Sequence, residues 1–139
     1  MDPDLIAEKL ESLRRCVQRV QKKCPPTSEE LMEDPDLQDI ISLNLTRAVQ
    51  LCVDIAVHLL TDLEVKPPDT MGGAFDALMS AQIISADLAG RLKKAVGFRN
   101  IAIHNYEAID WAIVHSIAAT RRADFSEFAR IIALRLKPE

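Results

Sequence analysis

Long proline-free stretches with apolar residues stepping by three and four constrain this chain more than any other feature. Six of its seven prolines fall at residues 3, 25–26, 35 and 67–68, and the last is Pro138. A β protein of this size needs turn residues at shorter intervals. From about Asp4 to Lys23 the apolar residues Ile6, Leu10, Leu13, Val17 and Val20 mark one face of an amphipathic helix, which the Cys24-Pro-Pro-Thr-Ser segment breaks. A second helix begins near Pro35 and Asp36. Its stripe is Leu37, Ile41, Leu45, Ala48, Cys52, Ile55 and Leu59, and Lys66-Pro-Pro-Asp-Thr ends it. A short helix is expected from roughly Met71 to Gln82. A fourth opens at Ser85, an N-cap residue type, and reaches about His104. Asp110 is placed to cap a fifth, with Trp111, Val114, Ala118, Phe125 and Ile132 facing inward. The pattern predicts an all-α, antiparallel bundle of four or five helices, in a single domain spanning residues 1–139.

Several function classes are excluded early. The 48% apolar and 27% charged residues belong to an ordinary globule. No uninterrupted apolar run reaches the ~18 residues of a membrane span, and the Met1-Asp-Pro-Asp start is unlike a secretory signal. Cys16, Cys24 and Cys52 are odd in number and lack CxxC spacing, which fits a reducing, cytoplasmic setting better than a disulfide or zinc scaffold. GxGxxG, GxxxxGK[ST] and GxSxG are all missing. No HxxxH or carboxylate cluster suggests a metal, and no cofactor is implied. His58 and His115 read as surface or packed histidines, and Cys16 and Cys52 as small core residues.

Charge is unevenly spread over a chain of net charge −4. Between Lys23 and Arg47 stand six acids and no base, which reads as a solvated face. Between Asp87 and Glu107 stand Arg91, Lys93, Lys94 and Arg99 and no acid. At about 100° per residue, Leu88, Leu92, Ala95, Val96, Ala102 and Ile103 form one apolar face, and Arg99 falls in its middle. Phe98 and Ile101 make a further side apolar, while Lys93, Asn100 and His104 form a polar stripe. An arginine cannot shed its charge. It either meets a buried acid, such as Asp54, or snorkels outward.

A helix with two surfaces to bury suggests self-association. In a two-fold dimer, copies of Arg99 and His104 would line one cleft, although on one helix they stand about 140° apart. A guanidinium grips phosphate and an imidazole moves protons near neutral pH. RNA brings its own 2′-hydroxyl nucleophile, so this pair suffices to cut it without a metal and leave a 2′,3′-cyclic phosphate. Tyr106, the sole tyrosine, is a packing residue, a nucleic-acid contact or a modification site. Asn44, on the apolar side of the second helix, either orients Arg99 or His104 or satisfies itself locally.

The segment Gly97-Phe-Arg-Asn-Ile-Ala-Ile-His-Asn-Tyr-Glu-Ala-Ile-Asp110 resembles the HepT toxins of the HEPN superfamily. Their signature is Arg-x4-His-x-Tyr, often with a polar residue after the arginine; Arg99, Asn100, His104 and Tyr106 match it. The flanks Leu92-Lys-Lys-Ala-Val-Gly and Ile109-Asp110 are similar too, as is Ile41-Ser-Leu-Asn-Leu-Thr-Arg-Ala-Val. The resemblance implies a bundle that dimerises through the motif-bearing helix. It implies a metal-independent ribonuclease toxin with Arg99 and His104 catalytic; beside it, the helical reading expects Asn100, Lys93 and Asn44 to support them. It further implies a minimal nucleotidyltransferase antitoxin, in a type VII-like pair, that transfers AMP to Tyr106. Many members carry Glu shortly after an arginine on the second helix, where this chain reads Arg47-Ala-Val-Gln50. The alternatives are a non-catalytic substrate- or nucleotide-binding partner of such a nucleotidyltransferase, or a purely structural dimer.

Overall fold

The computed structural model describes residues 2–136 and is helical throughout, with no strand among those residues. Helix α1 (Pro3–Lys23) starts where Asp2 accepts the amides of Asp4 and Leu5 and proline fills the first turn. The longest helix, α3 (Pro35–Asp62), repeats the device with Asp34 and Pro35. Helix α4 (Met71–Ser80) is capped by Thr70 and α5 (Ala86–His104) by Ser85, whose Oγ accepts the Leu88 amide at 3.1 Å. Asp110 caps α6 (Trp111–Ser116), as expected. The long helices lie where spacing and caps predict them.

Three local features differ from expectation. A one-turn helix, α2 (Ser28–Met32), forms within the segment expected only to break structure, because Thr27 caps it. The last helix does not run straight. A π turn at Ile117–Arg121 separates α6 from α7 (Arg122–Leu136). Helices α3 and α4 end with non-glycine residues in the left-handed region, Glu64 (φ 59°) and Gln82 (φ 63°). Each lets the next amide reach back five residues, Val65 to Leu60 and Ile83 to Leu78, closing the C-terminus.

Helix α3 is the spine: α1, α2, α4, α5 and α7 all pack on it. The predicted residues Ile41, Leu45, Ala48, Cys52, Ile55 and Leu59 are buried, and so are Val49, Val53, Ala56 and Leu60. Leu37, at the head of the predicted stripe, is only half-buried. A helix enclosed on most sides is apolar nearly all round. By length and mean hydropathy α3 is therefore able to cross a membrane, but 56% of its most apolar window is buried inside the bundle, as befits a core helix. Phe75 of α4 meets Phe128 of α7 edge to face, with centroids 6.0 Å apart. Cys16 and Cys52 are buried thiols, and burial pushes both pKa values up.

The charged stretches resolve into separate tasks. Glu29, Glu30 and Asp36 lie in the first turns of α2 and α3, where the helix dipole favours them, and Asp34 is a cap. In the basic stretch, Arg91 binds Asp124 at 2.8 Å and Glu127 at 3.3 Å, joining α5 to α7. Lys93 binds Asp76 of α4 at 3.1 Å. Two of the four cations thus belong to the scaffold.

Candidate active site

Arg99, Asn100 and His104 occupy the last two turns of α5, which stops at Asn105. Tyr106 follows in a 3-10 turn, Tyr106–Ala108, pinned by buried Ile109 and by the α6 cap. A short span of backbone therefore carries all four motif residues at one end of the bundle.

Arg99 is half-buried and does not reach Asp54 directly. One terminal nitrogen donates to Asn100 Oδ1 at 3.1 Å, and the other donates to Gln50 Oε1 at 3.3 Å. Gln50 in turn donates to Asp54 Oδ1 at 2.9 Å, and Lys9 lies 3.7 Å from Asp54 Oδ2. The expected ion pair is replaced by an amide relay. Among the described residues the guanidinium thus touches only neutral groups, and its Nε is buried with no partner. A guanidinium oriented this way keeps its full charge for an external anion.

His104 is exposed and makes no hydrogen bond among the described residues. Nothing in one chain draws it towards Arg99. Lys93 shares the polar stripe of α5 but lies eleven residues upstream, about 16 Å along the axis, and is engaged by Asp76. Asn44 bonds neither motif residue. Its Nδ2 donates to the Ile40 carbonyl of its own helix at 2.8 Å.

Tyr106 is 40% exposed and packs edge-on against Trp111, with centroids 5.7 Å apart. Its phenol donates to Asp39 Oδ1 at 2.7 Å. Burial pushes the Tyr106 pKa up, and the Asp39 carboxylate adds to the rise while the Ser42 hydroxyl opposes it. Asp39 was legible only as one acid in a run of six; no periodicity signals a contact across 67 residues. Asp39, Leu43, Ile103 and Tyr106 line a shallow groove of about 360 Å³ between α3 and the end of α5. Ile103, expected on the core face, is instead 48% exposed, and Leu43 is 49% exposed. The last turn of α5 overshoots the bundle, so its periodicity continues past the surface that could bury it. Two apolar side chains beside the motif residues are left for another surface.

His58 is exposed, while His115 Nε2 lies 2.8 Å from the Pro25 carbonyl and braces the segment before α2. No group of three or more His, Cys, Asp or Glu that could hold a metal occurs among the described residues. The site offers a guanidinium held by neutral groups, an exposed imidazole and a carboxylate-bonded phenol.

Comparison with known proteins gives the family and the fold. The family described as ribonuclease HepT-like matches residues 10–132. The mRNA nuclease HepT of Shewanella oneidensis is 33% identical over 129 residues, covering 93% of this chain and 96% of the relative. The tRNA nuclease HepT of Aphanizomenon flos-aquae is 27% identical over 110 residues, 79% of this chain and 75% of that protein. A solved tri-AMPylated Shewanella oneidensis HEPN toxin, in complex with MNT antitoxin, superposes with a TM-score of 0.89 at 32% identity, covering 96% and 99% of the two chains. The cytosolic protein YutE of Bacillus subtilis shares the fold alone, with a TM-score of 0.84 at 12% identity over 98% of this chain and 91% of YutE.

Proposed function

The chain belongs to the HepT-like ribonuclease family, and on that premise we propose that it is the toxin of a toxin–antitoxin pair, cutting RNA at a cleft shared by two copies. Arg99 binds the scissile phosphate and stabilises charge growing on its oxygens. The 2′-hydroxyl attacks the adjacent phosphorus. Imidazoles of His104 accept its proton and return one to the departing 5′-oxygen, leaving a 2′,3′-cyclic phosphate and a 5′-hydroxyl. Asn100 supports Arg99 from the same helix. No metal is required, because the nucleophile is intramolecular and the charge is met by arginine.

The observation that carries this reading is the state of Arg99: half-buried, held by two neutral amides, with its Nε unsatisfied. Self-association supplies the second half of the site, since Arg99 and His104 point apart on one helix. Leu43 and Ile103 provide apolar surface for it. The partner is a minimal nucleotidyltransferase that silences the toxin by transferring AMP from ATP to Tyr106. An added anion there crowds and repels an incoming phosphate. The setting is the cytoplasm, and the chain acts as one domain.

The test is incubation of purified protein with RNA in EDTA. Cleavage to cyclic-phosphate and 5′-hydroxyl ends is expected, and His104→Ala abolishes it with unchanged helical circular dichroism. Absence of cleavage by the wild-type chain, or wild-type rates in His104→Ala, overturns the reading.

A further inference from the structure

A second hollow, of about 540 Å³, opens where α1 and α3 lie side by side. Three guanidinium groups line it: Arg15 and Arg19, one turn apart on α1, and Arg47 on α3. All three are exposed, and none makes a hydrogen bond or ion pair among the described residues. No acid lines the hollow. The neighbouring Arg14 is taken by Glu11 at 2.6 Å, and the same carboxylate attracts Arg15 from one turn away without bonding it. Like charges four residues apart on a helix repel, so this grouping runs against the bundle's own interest. It stands on a chain whose net charge is −4. The charges converge at the floor of the hollow, where those of Arg47 and Arg15 both act on the Cys16 thiol against the larger effect of its burial.

The hollow is joined to the candidate active site. Gln50 lines it and also accepts the hydrogen bond from Arg99. Arg47 precedes Gln50 by three residues, about 4.5 Å along α3. The neutral Gln50 amide therefore links Arg99 to a hollow lined by Arg47 and the two arginines of α1. Asn44 adds a neutral acceptor, since one hydrogen of its amide nitrogen goes to the Ile40 carbonyl and its oxygen makes no hydrogen bond among the described residues. A 2′-hydroxyl lines up with its own phosphorus only in a strand free of duplex geometry, so the substrate expected at this hollow is single-stranded RNA.

The geometry points to a backbone subsite for single-stranded RNA, in which Arg15, Arg19 and Arg47 hold phosphates flanking the one at Arg99. The inference rests on the ribonuclease reading and adds where the substrate lies. The three arginines take no part in bond breaking; they set affinity and register.

The experiment measures binding of a fluorescently labelled single-stranded RNA by anisotropy across a salt series, in a His104→Ala background that prevents turnover. Combining Arg15→Ala, Arg19→Ala and Arg47→Ala is expected to weaken binding at least tenfold at low salt. The slope of log affinity against log salt should become shallower by about 2, at ~0.7 for each phosphate no longer held. Lysine at the three positions should restore the slope. If the triple variant loses helicity, Arg19→Glu alone should weaken binding in the same direction. An unchanged slope overturns the subsite. So does unchanged RNA binding with lost binding to a purified nucleotidyltransferase partner, which would make the hollow a protein-docking surface. RNA cleavage by the wild-type chain together with an unchanged slope removes the subsite alone. No RNA binding by the parent and no cleavage by the wild type remove the ribonuclease reading with it.

Discussion

The Tyr106 phenol and the Asp39 carboxylate, 67 residues apart in sequence, meet in a 2.7 Å hydrogen bond that fastens the turn after α5 to the start of α3. The acceptor stands where a base is needed if Tyr106 becomes a nucleophile: its Oη would bond the α-phosphorus of ATP, pyrophosphate would leave, and the phenol proton would pass to Asp39. Asp39→Ala is expected to slow AMP incorporation by roughly 10²-fold, the usual scale of a missing general base. Intact-mass analysis after co-expression with the nucleotidyltransferase reads this directly.

The same hydrogen bond has a pH signature. Asp39→Asn removes a negative charge beside the phenol, so the tyrosinate absorbance titration should shift to lower pH. It should stay above the ordinary value of 10.0, because burial is the larger cause of the rise. A folded value above the unfolded one means that the stabilisation is complete below about pH 10 and is lost as pH climbs through the folded value. The stability difference between the two proteins should be constant below about pH 10 and change only in that alkaline range.

Gln50 separates Arg99 from Asp54 with a neutral amide. Gln50→Ala frees the guanidinium and removes a hydrogen bond worth about 1 kcal/mol, so kcat for RNA cleavage should fall roughly fivefold. Gln50→Glu would hold the arginine by a charge-assisted bond while partly neutralising it. Its expected mark is a lowered kcat together with a raised KM, measured under steady-state conditions, because the partly neutralised arginine meets less of the charge that grows in the transition state.

Ile103 and Leu43 are exposed beside the motif residues. A charge at this position opposes burial against a second copy, so Ile103→Arg should move the protein towards monomer in sedimentation. Cleavage should fall with it although Arg99 and His104 are untouched. The stability of the separated chain should change by no more than ~0.5 kcal/mol, as for other surface substitutions.

The large elements were legible because their signals are local. Caps at Ser85 and Asp110 and spacing by three and four need only neighbours in sequence. The left-handed exits at Glu64 and Gln82 were not, since glycine is the usual sign of such a position. The π turn at Ile117–Arg121 leaves no mark in composition. Within the site, the motif spacing brought Arg99, Asn100, His104 and Tyr106 to notice. The destination of each side chain depended on partners far along the chain. Lys93 went to Asp76, Arg99 to Gln50 and Tyr106 to Asp39, and helical phase alone distinguishes none of these.

One uninterrupted rod, α3, presents Asp39 to the tyrosine and, three turns later, Gln50 to the arginine. Its interior is packed on nearly every side, so pushing on one end does not swing the other. The proposed silencing, by a nucleotide tethered at Tyr106, would therefore work as a stopper and not as a lever. The backbone of the blocked protein should overlay that of the competent one, and hydrolytic removal of the stopper should restore cutting without any refolding step.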